Sequence, residues 1–314
     1  HLRSDVPIAF CLSGGLDSSS IVQSSLEELQ LNSTNYKAYS LFSDYEDDER
    51  KDVNKFVKLN NLRHEFVNID SKISNNTLED VNFALDGPTN YPSHLYQYIL
   101  RKKMKKDNYK VLMIGEGGDE VLGGYHRFFI PYLYQMFYKK KKAIPKKYLE
   151  NIEKYGLATN DLLTKLMKFE KINLTKNDIE NKKSFELLNF KENILPGDIK
   201  FSVNVNPNDK SLFKKYLHEY IFKNDFHGVL QQEDRLSMAN SIETRIPFAD
   251  HKFMEYIFSI DEKYFMKDGI GKYMLRTSFN KKYPKQFPKF KAKVPKPGKS
   301  NNIIYDQYYE KFTD

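Results

Sequence analysis

The sequence predicts an α/β fold, a parallel twisted sheet with flanking helices, joined to a largely helical C-terminal part. Three observations carry this. Short apolar runs alternate with helix-spaced stripes through residues 8–114, the strand–helix–strand pattern of a parallel sheet with right-handed crossovers. Two of the strands end in glycine-rich loops that carry acidic side chains, at residues 12–19 and 115–125. Beyond Leu212 the spacing is helical, with Phe213, Tyr216, Leu217, Tyr220 and Ile221 on one face. In open parallel sheets ligands bind beyond the carboxyl ends of the strands, so the two loops should converge on one crevice.

Composition narrows the class. The 314 residues can bury a sizeable core as one large domain or two smaller ones. A hydrophobic content of 40% and a charged content of 29% fit a soluble globular chain, expected in the cytoplasm. No apolar run approaches the length of a membrane span. One cysteine, Cys11, excludes an internal disulfide and reads as a small core residue of the first strand. The net charge is +8, but the lysines are scattered apart from one run at residues 139–142. That field suits nucleotides or sugar phosphates, and no nucleic-acid partner is expected. The chain opens on His1, and we read it as a piece of a longer polypeptide.

In chain order, residues 1–7 form an entry segment, and Pro7 opens a strand at residues 8–12. Ser13-Gly14-Gly15-Leu16-Asp17-Ser18 follows, then Ile21, Val22, Leu26 and Leu29 at helical spacing. Glycines let backbone approach an anion, and the helix N-terminus presents unpaired N–H groups. Ser13 and Ser18 add hydroxyls, and Asp17 among them is a candidate magnesium ligand. The loop lacks the lysine of G-x-x-x-x-G-K-[ST], so it must grip a different part of the nucleotide. Residues 37–42 read as a second strand, and the acidic stretch 44–49 as a solvated loop entering a helix. Val53, Phe56, Val57 and Leu59 form that helix's stripe, and residues 64–69 alternate as a third strand. A helix is expected over residues 93–104, and a strand over 110–114.

That last strand runs into Gly115-Glu116-Gly117-Gly118-Asp119-Glu120, then Gly123-Gly124-Tyr125. Carboxylates beside a triphosphate repel it unless a metal lies between, so Asp17 and Asp119 are read together as Mg²⁺ ligands. Glu116 is the candidate general base or orienting group at the reacting carbon. Residues 1–130 are taken as the α/β core, 131–211 as a helical insertion of uncertain role, and 212–314 as a helical part completing the site. The tail at residues 289–299, rich in lysine and proline, is read as a surface segment with a possible lid function.

The motif Ser13-Gly14-Gly15-Leu16-Asp17-Ser18 resembles the pyrophosphate loop of enzymes that cut ATP between its α- and β-phosphates. Later segments narrow this to the asparagine synthetase family and its synthetase domain, of the adenine-nucleotide α-hydrolase or ATP-pyrophosphatase fold. They are the Gly115–Tyr125 loop, Asp234-Arg235-Leu236-Ser237-Met238-Ala239, Glu243-Thr244-Arg245-Ile246-Pro247-Phe248, and Gly271-Lys272-Tyr273. The resemblance implies ATP and Mg²⁺, a carboxylate adenylated with release of pyrophosphate, and ammonia transferred to it to form an amide. It implies that backbone around Leu12, Leu41, Ile114 and Gly115 holds adenine and ribose, and that Lys272 reaches the departing pyrophosphate. It also implies a glutaminase domain supplying ammonia, upstream or in trans, and a possible homodimer.

Family members hold aspartate with two threonines and an arginine, and Asn90 stands where that arginine is expected. Asparagine does not replace a bidentate guanidinium. The expected acceptor pocket is Thr89, Asn90, Arg235, Glu243 and Arg245, the last two being equally readable as a structural ion pair. Three acceptor readings follow: a small-molecule carboxylate, a sugar-linked carboxylate of surface-polysaccharide assembly, and a ring-closing ligase of the β-lactam or lasso-peptide type. A nucleotide-binding regulator without turnover is the non-enzymatic alternative.

Overall fold

The structure, a computed structural model, describes residues 1–28, 36–43, 49–69, 73–89, 91–138, 140, 142–154, 166, 211–223 and 225–287. Asn90, residues 44–48 of the acidic stretch 44–49, most of the 131–211 insertion and the 289–299 tail therefore lie outside the described residues.

Five strands form one sheet: β1 (Ile8–Cys11), β2 (Tyr36–Phe42), β3 (His64–Asn68), β4 (Val111–Met113) and β5 (Glu243–Arg245). Their order is β3-β2-β1-β4-β5 and every pairing is parallel. The strand side chains alternate between faces. Ile8, Phe10, Val111 and Met113 pack with Val22 of α1 (Leu16–Glu28) and with Val53 and Phe56 of α2 (Arg50–Asn60). Ala9 and Leu112 point the other way, against Ile99, Leu100 and Met104 of α4 (Pro92–Lys106). A sheet covered on both faces explains the near-continuous apolar strands.

The fold is the expected one: a parallel sheet flanked by helices with a helical C-terminal part. Two elements were not anticipated. α3 (Asn75–Leu85) starts at Ser74, whose hydroxyl accepts from Thr77 N. β5 lies 130 residues and more from its partner in sequence, yet Glu243 N donates to Lys110 O at 2.7 Å and Ile114 N to Arg245 O at 3.2 Å. The C-terminal part thus supplies the sheet's edge strand. It also shares an aromatic core with the segment after β4, in which Phe128 and Phe129 are buried together with Phe213, Tyr216, Tyr220 and Phe265. Among the described residues no helix is long and apolar enough to cross a membrane.

Candidate active site

β1 and β4 are neighbours, so the loops that leave their carboxyl ends meet. The first folds on itself: Ser18 Oγ accepts from Ser13 N at 2.9 Å, and Ser13 Oγ accepts from Gly15 N at 3.1 Å. Gly14 N donates to the carboxylate of Glu49 at 3.0 Å. Leu12 is buried, its N–H donating to Tyr39 O and its carbonyl accepting from Ser40 Oγ. The contact between loops is close. A Cβ on Gly115 would lie 2.6 Å from Ser18 N, and one on Gly118 would lie 2.6 Å from Asp17 Cγ. Only glycine lets the second loop seat on the first.

Lys272 arrives from a third direction. The hairpin of Met266–Lys267 and Ile270–Gly271 turns on Asp268-Gly269, both at positive φ, the geometry that two-residue hairpins favour. It delivers Lys272, itself at φ +51° in the left-handed region, a strained conformation of the kind that collects at functional sites. The Lys272 ammonium bridges Asp17 and Asp119, the latter at 2.6 Å. A Cβ on Gly124 would collide with both Asp119 and the lysine stem. Asp17 Oδ1 is sealed from solvent and has no hydrogen-bond partner. Burial raises the Asp17 pKa, against the pull of Lys272 and with the push of Asp119.

Both loops line a cavity of about 230 Å³. Ser13, Asp17, Ser18, Leu41, Ile114, Gly115, Glu116 and Asp119 all reach it. Burial pushes Glu116 up to about 8, with the charges of Glu233, Glu120, Asp17 and Asp119 adding to the effect. A carboxyl poised near neutrality is suited to proton transfer.

A family profile described as asparagine synthase matches residues 1–311. The chain belongs to the asparagine synthase family. It is 27% identical to asparagine synthetase [glutamine-hydrolyzing] 1 of Bacillus subtilis over 88% of this chain and 44% of the relative. Against asparagine synthetase [glutamine-hydrolyzing] 3 of the same organism the figures are 28%, 88% and 42%. The rat asparagine synthetase [glutamine-hydrolyzing] is 24% identical over 89% of this chain and 37% of its own. The chain spans less than half the length of these relatives.

For an asparagine synthase relative, the donor set fits magnesium. It is all oxygen, it includes an orphaned carboxylate atom, and a cation already bridges its two members. Among the described residues no third acid or histidine joins them. Magnesium is commonly held by one or two carboxylates plus substrate phosphates, which is what this pair leaves room for.

The residues expected at the acceptor lie elsewhere. Thr89 is buried, its Oγ1 2.7 Å from His94 Nδ1. Arg235 donates to Leu85 O at 2.6 Å, capping the last turn of α3. Arg245 donates to Glu243 at 2.7 Å and to the carbonyls of His1 and Arg3 at 2.5 and 2.8 Å. None of these four reaches the cavity, and Asn90 is outside the described residues. The rest of the cavity wall includes Cys11, Gln97, Leu100, Arg101, Leu112 and Glu233. Cys11, read from sequence as core, packs against the sheet core and also faces this space, with burial pushing its thiol up to about 12. Arg101 and Glu233 carried a usable signal: each falls on the buried face of its helix, where a charged residue needs a partner.

Proposed function

We propose that this chain is the ATP-dependent synthetase part of an amide-forming enzyme, which adenylates a carboxylate and transfers ammonia to it. One observation carries the reading: Asp17, Asp119 and Lys272, from three distant stretches of sequence, meet at the edge of a cavity walled by both glycine loops.

In the first step a carboxylate oxygen of the acceptor attacks the α-phosphorus of ATP, and the bond to the bridging oxygen breaks. Acyl-adenylate and pyrophosphate result. The β1 loop, with its helix N-terminus and the hydroxyls of Ser13 and Ser18, is suited to the phosphates. Leu41, Ile114 and Gly115 would hold the nucleoside, with backbone near Leu12. Magnesium on Asp17 and Asp119 would supply the charge that lets these carboxylates sit beside the phosphates. Lys272, released from them, would donate to the leaving pyrophosphate as its charge grows. In the second step nitrogen attacks the acyl carbon, Glu116 accepts its proton, and AMP departs.

The acceptor is a carboxylate other than free aspartate, because Asn90 replaces the expected arginine. A sugar-linked carboxylate is the favoured class. The test is pyrophosphate release from ATP with ammonium, across aspartate and uronic-acid sugar nucleotides, with and without a magnesium chelator. Chelator-sensitive release with AMP as co-product is expected for a sugar acid. Release with aspartate would restore asparagine as product, and silence across the panel would leave the ring-closing and non-catalytic readings.

A further inference from the structure

Where β1 ends, a side chain takes over part of its pairing with β2. In parallel strands successive residues turn their backbone N–H and C=O groups to alternate neighbours. Ala38 N donates to Arg63 O at 2.9 Å on the β3 side, and Tyr39 O accepts from Leu12 N at 2.8 Å on the β1 side. Phe42 O again faces β3, accepting from Ile69 N at 3.1 Å. Leu41 therefore faces β1, and its N–H is the next donor due to pair with Leu12 O. That pair is not made. Leu12 O accepts from the Ser40 hydroxyl instead, and Leu41 N has no hydrogen-bond partner among the described residues. Leu41 lines the cavity, together with Ser13, Ile114 and Gly115.

The Ser40 hydroxyl is itself held in place. Ser40 is buried, and having given its one proton to Leu12 O it accepts from His64 Nε2 at 2.8 Å. That ring nitrogen must therefore carry the hydrogen. His64 is half-buried at the start of β3, edge-on to Phe66 with ring centroids 4.4 Å apart. Burial pushes it down to about 4, so at neutral pH the ring is uncharged and keeps one tautomer. The relay from His64 through Ser40 to Leu12 is complete, and the group it leaves over is an N–H on the cavity wall. Such a donor fits an acceptor on the ligand. On its outer edge adenine offers the ring nitrogen N1 as an acceptor, whereas guanine carries a hydrogen there.

We propose that Ser40 and His64 are positioning residues that occupy the Leu12 carbonyl and so leave the Leu41 N–H free to donate to N1 of adenine. This rests on the ATP reading of the cavity and names what gives it a preference for adenine over guanine. A buried carbonyl left unpaired is costly, so without the hydroxyl Leu12 O would draw the Leu41 N–H back into the sheet.

The experiment measures equilibrium binding of ATP and of 1-deaza-ATP, which has carbon in place of N1. It compares the unsubstituted chain with Ser40→Ala, His64→Leu and His64→Gln. The unsubstituted chain should bind ATP roughly tenfold tighter than 1-deaza-ATP, the worth of about one hydrogen bond. Ser40→Ala should lose that factor for ATP and leave 1-deaza-ATP binding unchanged. His64→Leu should lose part of it, and His64→Gln, whose amide keeps an N–H donor, should restore it. Equal weakening of both nucleotides in Ser40→Ala overturns the inference by making the hydroxyl a general support of the loop. Equal binding of the two by the unsubstituted chain also overturns it, with the ATP reading left standing. Should Ser40→Ala fail to fold, the two His64 variants decide. A loss confined to ATP that glutamine restores supports the inference, and a loss common to both nucleotides overturns it. Binding of neither nucleotide by the unsubstituted chain removes the ATP reading, and the inference with it.

Discussion

Two charge clusters border the cavity, one buried and one reaching solvent, and they are built to opposite ends. Around Arg101 every strong group is matched: Glu233, Ser237 and the Gln97 carbonyl take its donors, and Ser237 Oγ lies 2.5 Å from Thr244 Oγ1. Around Lys272 the match is incomplete. One ammonium serves two carboxylates, Asp17 Oδ1 has no partner, and the lysine backbone is held in the left-handed region. A closed cluster fixes how α4, the helix Asp225–Met238 and β5 sit together. An open one can trade its internal cation for a bound one. Charge that works is therefore recognised here by what it leaves unsatisfied and by its reach to solvent, the Asp17 and Asp119 side chains being 21% and 35% exposed against 2% and 4% for Arg101 and Glu233.

The largest expected effect tests the closed cluster. Arg101→Leu leaves Glu233 buried without its counter-ion and should cost about 3–5 kcal/mol, read as a fall in thermal or denaturant midpoint. Replacing both partners with leucine should recover much of that loss, because two apolar groups need no pairing. A single variant within 1 kcal/mol of the parent would show that the pair is not a structural lock.

Next comes the open cluster. Lys272→Ala should slow pyrophosphate formation about 10²–10³-fold, equivalent to about 2.7–4 kcal/mol of transition-state stabilisation, with a much smaller loss of ATP affinity. Equal losses in both would make Lys272 a plain binding residue.

Much of this was legible in sequence, and the exceptions have physical reasons. Asp17, Glu116, Asp119 and Lys272 stand in local motifs whose glycines and acids state their geometry, so the residues meeting at the cavity could be named in advance. β5 could not: Glu243-Thr244-Arg245 is short and polar, and it is extended because Lys110 and Ile114 hydrogen-bond to it. Arg101 escaped because an arginine on a helix ordinarily faces water. Motif order places the acceptor residues near the chemistry, whereas Arg235 and Arg245 spend donors on the backbone carbonyls of Leu85, His1 and Arg3, and Arg245 also on Glu243. A motif identifies a position and does not state which way its side chain turns.

A third effect concerns protons. Glu116 is raised to about 8, so at pH 7 about nine molecules in ten hold the proton that a base must lack. Nitrogen transfer should therefore climb roughly tenfold from pH 7 to above 8 and then level, a factor equal to about 1.4 kcal/mol. ATP–pyrophosphate exchange, which needs no proton taken by Glu116, should not follow that limb. If both rates rise together, the titrating group acts in nucleotide binding or adenylation; if only nitrogen transfer rises, it is Glu116 or the ammonium itself. Glu116→Gln separates these outcomes, since it should abolish the limb only if Glu116 is its source.

The smallest effect is expected at Arg245, and it sharpens the contrast from outside the cavity. Its partner Glu243 is 62% exposed, and its other contacts are the carbonyls of the entry segment. Exposed pairs contribute little, so Arg245→Ala should cost roughly 0.5–1 kcal/mol of stability through a looser entry segment. Exchange rate and ammonium KM should both stay at the parent values. A tenfold change in either would mean that the entry segment and β5 communicate with the cavity. The most direct physical route between them is Thr244, on the same strand and 2.5 Å from the Ser237 hydroxyl that holds Arg101. Arg245→Ala thus asks whether the closed cluster isolates the site from the sheet edge or couples the two.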